Sequence, residues 1–287
     1  MRRIAVIGAG TMGHGIAQVA AVAGYQTVLH DESADALAAA VPRIRDNLIG
    51  GVARGKLSQD AADAALDRLT THSDLAEAVG NADLIVEAII EDQKIKRALF
   101  KRLDKLTRDD AVLVSNTSSL SIARMAAATT RPARVMGMHF FNPVHIMKLV
   151  ELVRHAGVAD DTVEQVREVA VRMGKEPIIV ADAPGFASSR LGVVLGLEAM
   201  RMVEQGVATP EDIDKALELG YGHPMGPLRV TDLVGLDVRL AIAEYLHRQL
   251  KDDQYEPPQI LRDKVSKGEL GKKTGKGFYE WDRTKTS

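Results

Sequence analysis

Gly8-Ala9-Gly10-Thr11-Met12-Gly13 follows directly on the apolar run Ile4-Ala5-Val6-Ile7, and Asp31 follows a second run, Thr27-Val28-Leu29-His30. At this spacing each residue type has its own task. Gly8 makes the tight turn off a strand, Gly10 lets the backbone approach a pyrophosphate, and Gly13 lets the next helix pack closely on the sheet. That helix, expected over about 12–23 with Gly24 ending it, turns its first N–H groups and its positive dipole end toward the phosphates. Asp31, eighteen residues beyond Gly13, is placed to accept hydrogen bonds from the ribose hydroxyls of NAD and to repel the 2′-phosphate of NADP.

In an open α/β sheet, ligands bind beyond the carboxyl ends of the strands, so polar residues just after apolar runs carry the chemistry. Glu91 and Lys96 follow the run ending at Ala88; Asn116, Thr117 and Ser118 follow the one ending at Ser115; His139 and Asn142 end the next. An imidazole titrating near neutrality suits His139 to proton transfer, although a strand-end histidine on its own is more often structural. Glu151 changes that balance. It lies inside Lys148-Leu149-Val150-Glu151-Leu152-Val153, where a buried carboxylate without a partner costs several kcal/mol. Its partner is either His139, which it would orient and stabilise as a cation, or Lys148. Hydride transfer from an alcohol to NAD needs such a base, plus polar groups like Ser118 and Asn142 to hold the hydroxyl. It needs no metal, and no cluster in the chain has metal-ligand spacing.

The elements that must position these residues form a two-part pattern. The chain's 287 residues at 46% hydrophobic content exceed what one core usually holds. Strands and helices alternate through residue 180, which predicts a Rossmann-type, doubly wound α/β domain with a mainly parallel sheet over 1–183. A helical insertion is expected at about 33–70, read as two or three helices broken at Pro42 and at Gly50-Gly51. Its basic residues Arg43, Arg45, Arg54 and Lys56 fit either an acidic ligand or a solvated helical face. Beyond Asp182-Ala183-Pro184-Gly185 the pattern turns all-helical, giving a second domain over 184–287. Its first helix, about 186–205, is apolar on most sides and so belongs in a core or at a subunit interface. The next is capped by Thr209 at its start and by Gly220 at its end. A net charge of -2 with 4% aromatic residues argues against nucleic acid. The absence of cysteine excludes thiolate chemistry, and no apolar run is long enough to span a membrane, so a cytoplasmic enzyme is the expectation.

Ser115-Asn116-Thr117-Ser118-Ser119-Leu120, then His139-Phe140-Phe141-Asn142-Pro143-Val144 through Lys148-Leu149-Val150-Glu151, closely resemble the L-3-hydroxyacyl-CoA dehydrogenases, including bacterial 3-hydroxybutyryl-CoA dehydrogenases. The resemblance runs on through Pro184-Gly185-Phe186, His223-Pro224-Met225-Gly226-Pro227, Asp232-Leu233-Val234-Gly235-Leu236-Asp237 and Gly271-Lys272-Lys273-Thr274-Gly275, and so covers essentially the whole chain. It implies oxidation of a 3-hydroxyacyl-CoA by NAD, with His139 as base, Glu151 as its partner, and Ser118 and Asn142 on the reacting oxygen. It implies that Asp31, Glu91, Lys96, Asn116 and Lys273 contact NAD and that Arg54, Lys56 and Asn47 approach the coenzyme A moiety. It also implies a homodimer through the helical domain. One departure stands out: Ala187-Ser188-Ser189-Arg190 places Ser189 where the family commonly has a substrate-binding asparagine. The rival readings are an NAD-dependent dehydrogenase of a free hydroxy acid or sugar acid and, more remotely, a non-catalytic NAD-binding protein.

Overall fold

The computed structural model describes residues 1–282; residues 283–287, the end of the expected second domain, lie outside the described residues. Two compact units divide the chain, Met1–Ala183 and Pro184–Ser287.

In the first unit β1 (Arg3–Ile7), α1 (Gly13–Val22) and β2 (Gln26–His30) lead into α2 (Ala34–Ala53) and α3 (Gln59–Asp67). There follow β3 (Leu69–His72), α4 (Leu75–Val79), β4 (Leu84–Glu87), α5 (Gln93–Leu106), β5 (Val112–Ser115) and α6 (Ile122–Ala126). The unit ends with β6 (Val135–Phe140), β7 (Leu149–Arg154), α7 (Asp160–Arg172) and β8 (Glu176–Ala181). The sheet order is β3-β2-β1-β4-β5-β6-β7-β8. Every neighbouring pair runs parallel except β6 and β7. Strands β4, β5 and β6 are buried along their full length, which is why they read as continuous apolar runs rather than alternating ones. After β1 the chain lays β2 and β3 on one side and then crosses to β4 on the other, opening a crevice at the carboxyl ends of β1 and β4.

Two expectations about the insertion are corrected. Helix α2 runs unbroken through Pro42 and Gly50-Gly51, because Leu37, Ala40, Ile44 and Leu48 bury one continuous stripe. Pro42 and Ala38 are both exposed, so the carbonyl that the proline cannot bond is left to water. The edge strand β3, parallel to β2, was hidden in the sequence because Leu69-Thr70-Thr71-His72 is only half covered and carries no apolar run.

The second unit holds α8 (Ser188–Glu204), α9 (Pro210–Tyr221), α10 (Pro227–Val234), α11 (Leu236–Leu250) and α12 (Gln259–Ser266). Thr209 caps α9 as expected, but Gly222 and not Gly220 ends it: Gly222 takes the left-handed conformation (φ 69°). Either glycine can adopt it, and the helix continues to the later one, with Pro224 barring further extension. Among the described residues no helix is long and apolar enough to cross a membrane.

Two buried carboxylates tie this unit together. Asp232 accepts from Phe278 N at 2.9 Å, Tyr279 N at 2.9 Å and Trp281 Nε1 at 2.8 Å. Asp214 accepts from Leu228 N at 2.9 Å, Arg229 N at 3.0 Å and the Tyr279 hydroxyl at 2.7 Å. Asp232→Asn turns one of these acceptors into a donor facing buried N–H groups. It should lower stability by roughly 2–4 kcal/mol. Trp281 is the only tryptophan, so its fluorescence reports the change directly; an unshifted denaturation midpoint counts against this role for Asp232.

Candidate active site

At the end of β1, Gly8 has φ 104°, and a side-chain carbon there would lie 2.6 Å from the Ala88 carbonyl oxygen at the end of β4. At Gly13 the same atom would lie 1.6 Å from Gly8 O, so the turn and the first turn of α1 are in backbone contact. Gly10 differs: nothing comes within 4 Å of its missing side chain, which leaves its backbone open to a ligand, with Thr11 exposed beside it. Met12, in the cap position before α1, supplies no side-chain cap, and the helix has no acid in its first turn. By contrast α2 to α6 are each capped by a side chain, from Ser33, Ser58, Asp74, Asp92 and Ser121. The uncapped N–H groups of α1 are thus left for an anion.

Asp31 ends β2 with both oxygens engaged, accepting from Ala9 N at 2.8 Å and from Ser33 N at 2.9 Å. These bonds hold its carboxylate at the mouth of a cleft of about 570 Å³. Gly8, Gly10 and Asp31 line the cleft together with Ile90, Ile95 and Leu99. An open glycine backbone, a helix start, a carboxylate and apolar walls together match a dinucleotide: phosphate, ribose and base each meet a suitable surface.

Beneath the crevice lies a buried polar network centred on Glu87, the member that reading the sequence missed. Glu87, 0% exposed, accepts from Lys96 Nζ at 2.5 Å, from Ile89 N at 2.8 Å and from Ser115 Oγ at 2.6 Å. Lys96 is 1% exposed, and its ammonium also reaches Ile89 O at 3.2 Å and Glu91 Oε2 at 3.3 Å. The other Glu91 oxygen accepts from Thr117 Oγ1 at 2.5 Å and from Ser118 N at 2.9 Å. Lys96, expected at the cofactor, is thus bonded to Glu87 and Glu91, and Glu91 in turn holds Ser118 N. The signal was present: a glutamate in the apolar strand Leu84–Glu87 demands a partner as much as Glu151 does.

His139 and Glu151 stand opposite each other in the antiparallel register of β6 and β7. His139 Nδ1 lies 2.8 Å from Glu151 Oε2, with the histidine 5% and the glutamate 0% exposed. The alternative partner, Lys148, is exposed and pairs with Glu176 at 3.4 Å. A carboxylate at Nδ1 requires the proton there, so in the neutral ring the basic lone pair is on Nε2. Phe141 packs on the imidazole with ring centroids 4.6 Å apart. Asn116 Oδ1 accepts from Phe140 N at 2.8 Å, linking the end of β5 to the end of β6. Asn142 is exposed in the turn that follows, and its bond to Pro143 is cis. Two residues not anticipated hold this turn. A methyl on Gly15 would lie 2.9 Å from Val144 Cβ, so the turn seats on α1. Lys175 donates to Val144 O and, at 2.9 Å, to Met147 O. Nothing in the sequence around Lys175 marks it for this role.

The remaining candidates are dispersed. Asn47 Nδ2 donates to Gln18 Oε1 at 3.1 Å, joining α2 to α1. Arg54 ends α2 and Lys56 follows it; both are exposed, as are Arg43 and Arg45. In the second unit, Ser189 lies in the first turn of α8, and Lys273 binds Asp237 through both carboxylate oxygens at 2.5 and 2.7 Å.

Comparison with known proteins finds matches along nearly the whole chain. Residues 3–183 match the family model described as 3-hydroxyacyl-CoA dehydrogenase, NAD binding domain, and residues 185–281 match that of the 3-hydroxyacyl-CoA dehydrogenase C-terminal domain. A probable 3-hydroxybutyryl-CoA dehydrogenase of Deinococcus radiodurans is 45% identical over 279 residues, covering 97% of this chain and 100% of that protein. The crystal structure of Mycobacterium tuberculosis FadB2 superposes with a TM-score of 0.94 at 43% identity, covering 98% of this chain and 99% of the other. That of (S)-3-hydroxybutyryl-CoA dehydrogenase PaaH1 from Ralstonia eutropha gives 0.95 at 38% identity, again covering 98% and 99%. With its polar strand ends, its buried His139–Glu151 pair and both family models in order, the chain belongs to the 3-hydroxyacyl-CoA dehydrogenase family.

Proposed function

We propose that the chain catalyses the reversible oxidation of (3S)-3-hydroxyacyl-CoA to 3-oxoacyl-CoA with NAD. The observation that carries this reading is the 2.8 Å contact between His139 Nδ1 and Glu151 Oε2 at the carboxyl end of β6. Gly8, Gly10, Thr11, Met12 and Gly13 receive the pyrophosphate, and Asp31 receives the ribose. Glu91 and Asn116 border the cofactor, and Lys96 positions Glu91. Bound NAD supplies the hydride acceptor. His139 Nε2 removes the hydroxyl proton, and Glu151 stabilises the imidazolium so formed. Ser118 and Asn142 orient the hydroxyl, and the reverse reaction returns the proton from His139 to the carbonyl oxygen. Arg54, Lys56 and Asn47 on the α2 side serve the coenzyme A moiety, and Ser189 meets the substrate with a hydroxyl.

The face of α8 supports a homodimer formed through the second unit. Leu191 is 73% and Leu195 36% exposed on this helix. Arg239 lies against Gly192 of the same helix, and its buried Nε has no acceptor among the described residues.

Four measurements test these assignments. NADH oxidation by acetoacetyl-CoA should be rapid and that by free acetoacetate slow; the reverse order would favour a free hydroxy acid as substrate, and NADH binding with no turnover a non-catalytic role. His139→Gln should lower kcat by a factor on the order of 100 to 10,000 with NADH affinity retained, and near-normal turnover removes His139 as the base. Asp31→Asn keeps a hydrogen-bond acceptor and loses the charge, so the preference for NADH over NADPH should narrow by roughly tenfold. An unchanged ratio means Asp31 does not select the cofactor. Sedimentation equilibrium should return a dimer mass, and a monomer at micromolar concentration rejects the α8 interface.

A further inference from the structure

Along α5, Ile95, Ala98, Leu99 and Arg102 all line the cleft beside Asp31, and their i, i+3, i+4, i+7 spacing sets them on one face of the helix. The first three make an apolar wall. Arg102 ends the row with a guanidinium, and it is the only lysine or arginine that lines the cleft. Glu32, the residue after Asp31, lines the cleft as well, and its Oε1 lies 3.4 Å from Arg102 Nη1. This contact joins the turn after β2 to α5, 70 residues on. Among the described residues Glu32 is the ion-pair partner of Arg102. As a stabiliser the pair counts for little, because the two side chains are 79% and 58% exposed. Its place in the cleft gives it another use. An arginine near the carboxylate that reads the ribose is the residue type that receives a 2′-phosphate, whose oxygens match the guanidinium fork. This chain carries such an arginine and has it engaged by a carboxylate.

We propose that Glu32 is a second determinant of cofactor choice: it occupies Arg102 and so keeps the guanidinium from receiving the 2′-phosphate of NADP. The proposal rests on the NAD reading above and adds a mechanism to it. Asp31 acts by repelling the phosphate, whereas Glu32 competes with the phosphate for the same donors. The two actions leave different things behind when they are removed. With Asp31 neutralised Arg102 is still engaged, so the preference moves only part of the way. With Glu32 neutralised the guanidinium is free to pair with a phosphate, and NAD, which has a hydroxyl in that place, gains nothing from it. The size of the effect is bounded by the strength of the pair, which for exposed side chains is modest.

Fluorescence titration of the whole protein gives dissociation constants for NADH and NADPH in four forms: unmodified, Glu32→Gln, Arg102→Met and both changes together. Physiological ionic strength is used because it screens exposed charges that are not in contact. Glu32→Gln should tighten NADPH about fivefold, the most that an exposed ion pair withholds, and leave NADH unchanged. Adding Arg102→Met should remove that gain, while Arg102→Met alone leaves both affinities as they were. A gain for NADPH that survives without Arg102 reduces Glu32 to simple repulsion and overturns the pairing role, and so does the absence of any gain. Weaker NADH binding in Arg102→Met alone also overturns it, because the guanidinium would then serve a part that the two cofactors share. Both side chains are exposed, so an unshifted denaturation midpoint in each variant separates these results from a folding defect. Turnover of acetoacetyl-CoA with NADH by the unmodified protein is read alongside. NADH binding and turnover without the Glu32 effect refute this role alone, whereas failure of NADH to bind any form refutes the NAD reading and this role with it.

Discussion

Glu151 is a carboxylate with no exposed surface in the middle of an apolar strand, and the site is organised around giving it a partner. A charge in that position is tolerated only if a hydrogen-bonding or cationic group meets it at short range. The one antiparallel pair in an otherwise parallel sheet provides this. Because β7 runs back along β6, His139 and Glu151 face each other directly, with Glu151 on the strand that leaves the turn. A parallel connection would have needed a crossover and would have brought a residue from the opposite end of the chain's path beside His139. The reversal of strand direction is therefore what seats the pair.

The same economy recurs elsewhere. Glu87 collects an ammonium, a hydroxyl and a backbone N–H, and through Lys96 the order passes to Glu91, Thr117 and Ser118. In the second unit Asp232 and Asp214 each gather three donors from distant parts of the chain. Buried carboxylates of this kind specify one arrangement of loops because any other leaves several donors unmet.

What was legible in the sequence follows from this chemistry. Strands covered on both faces gave unbroken apolar runs, so β4, β5 and β6 were plain, whereas the half-covered β3 left no run to see. The odd polar residue in an apolar run disclosed Glu151, and the same argument applied to β4 would have disclosed Glu87. Proline and glycine misled in the insertion and at Gly220 because their local preferences are weak beside a continuous buried stripe or a second glycine two residues on. Lys175 was beyond reach: its partners are backbone carbonyls 31 and 28 residues away, and no side-chain pattern records a carbonyl.

The unbroken course of α2 makes it a rod of fixed length and phase. Its 20 residues span about 30 Å, with the turn beside Asp31 at one end and Arg54 at the other. Had Pro42 or Gly50-Gly51 parted it into hinged pieces, changes of length there would be absorbed locally. As one rod, each residue added or removed advances the far end by about 1.5 Å and swings it by about 100°. The two ends are thus geared together, and natural variation in this segment should keep whole helical turns, even where the amino acids along its outer face are free to change.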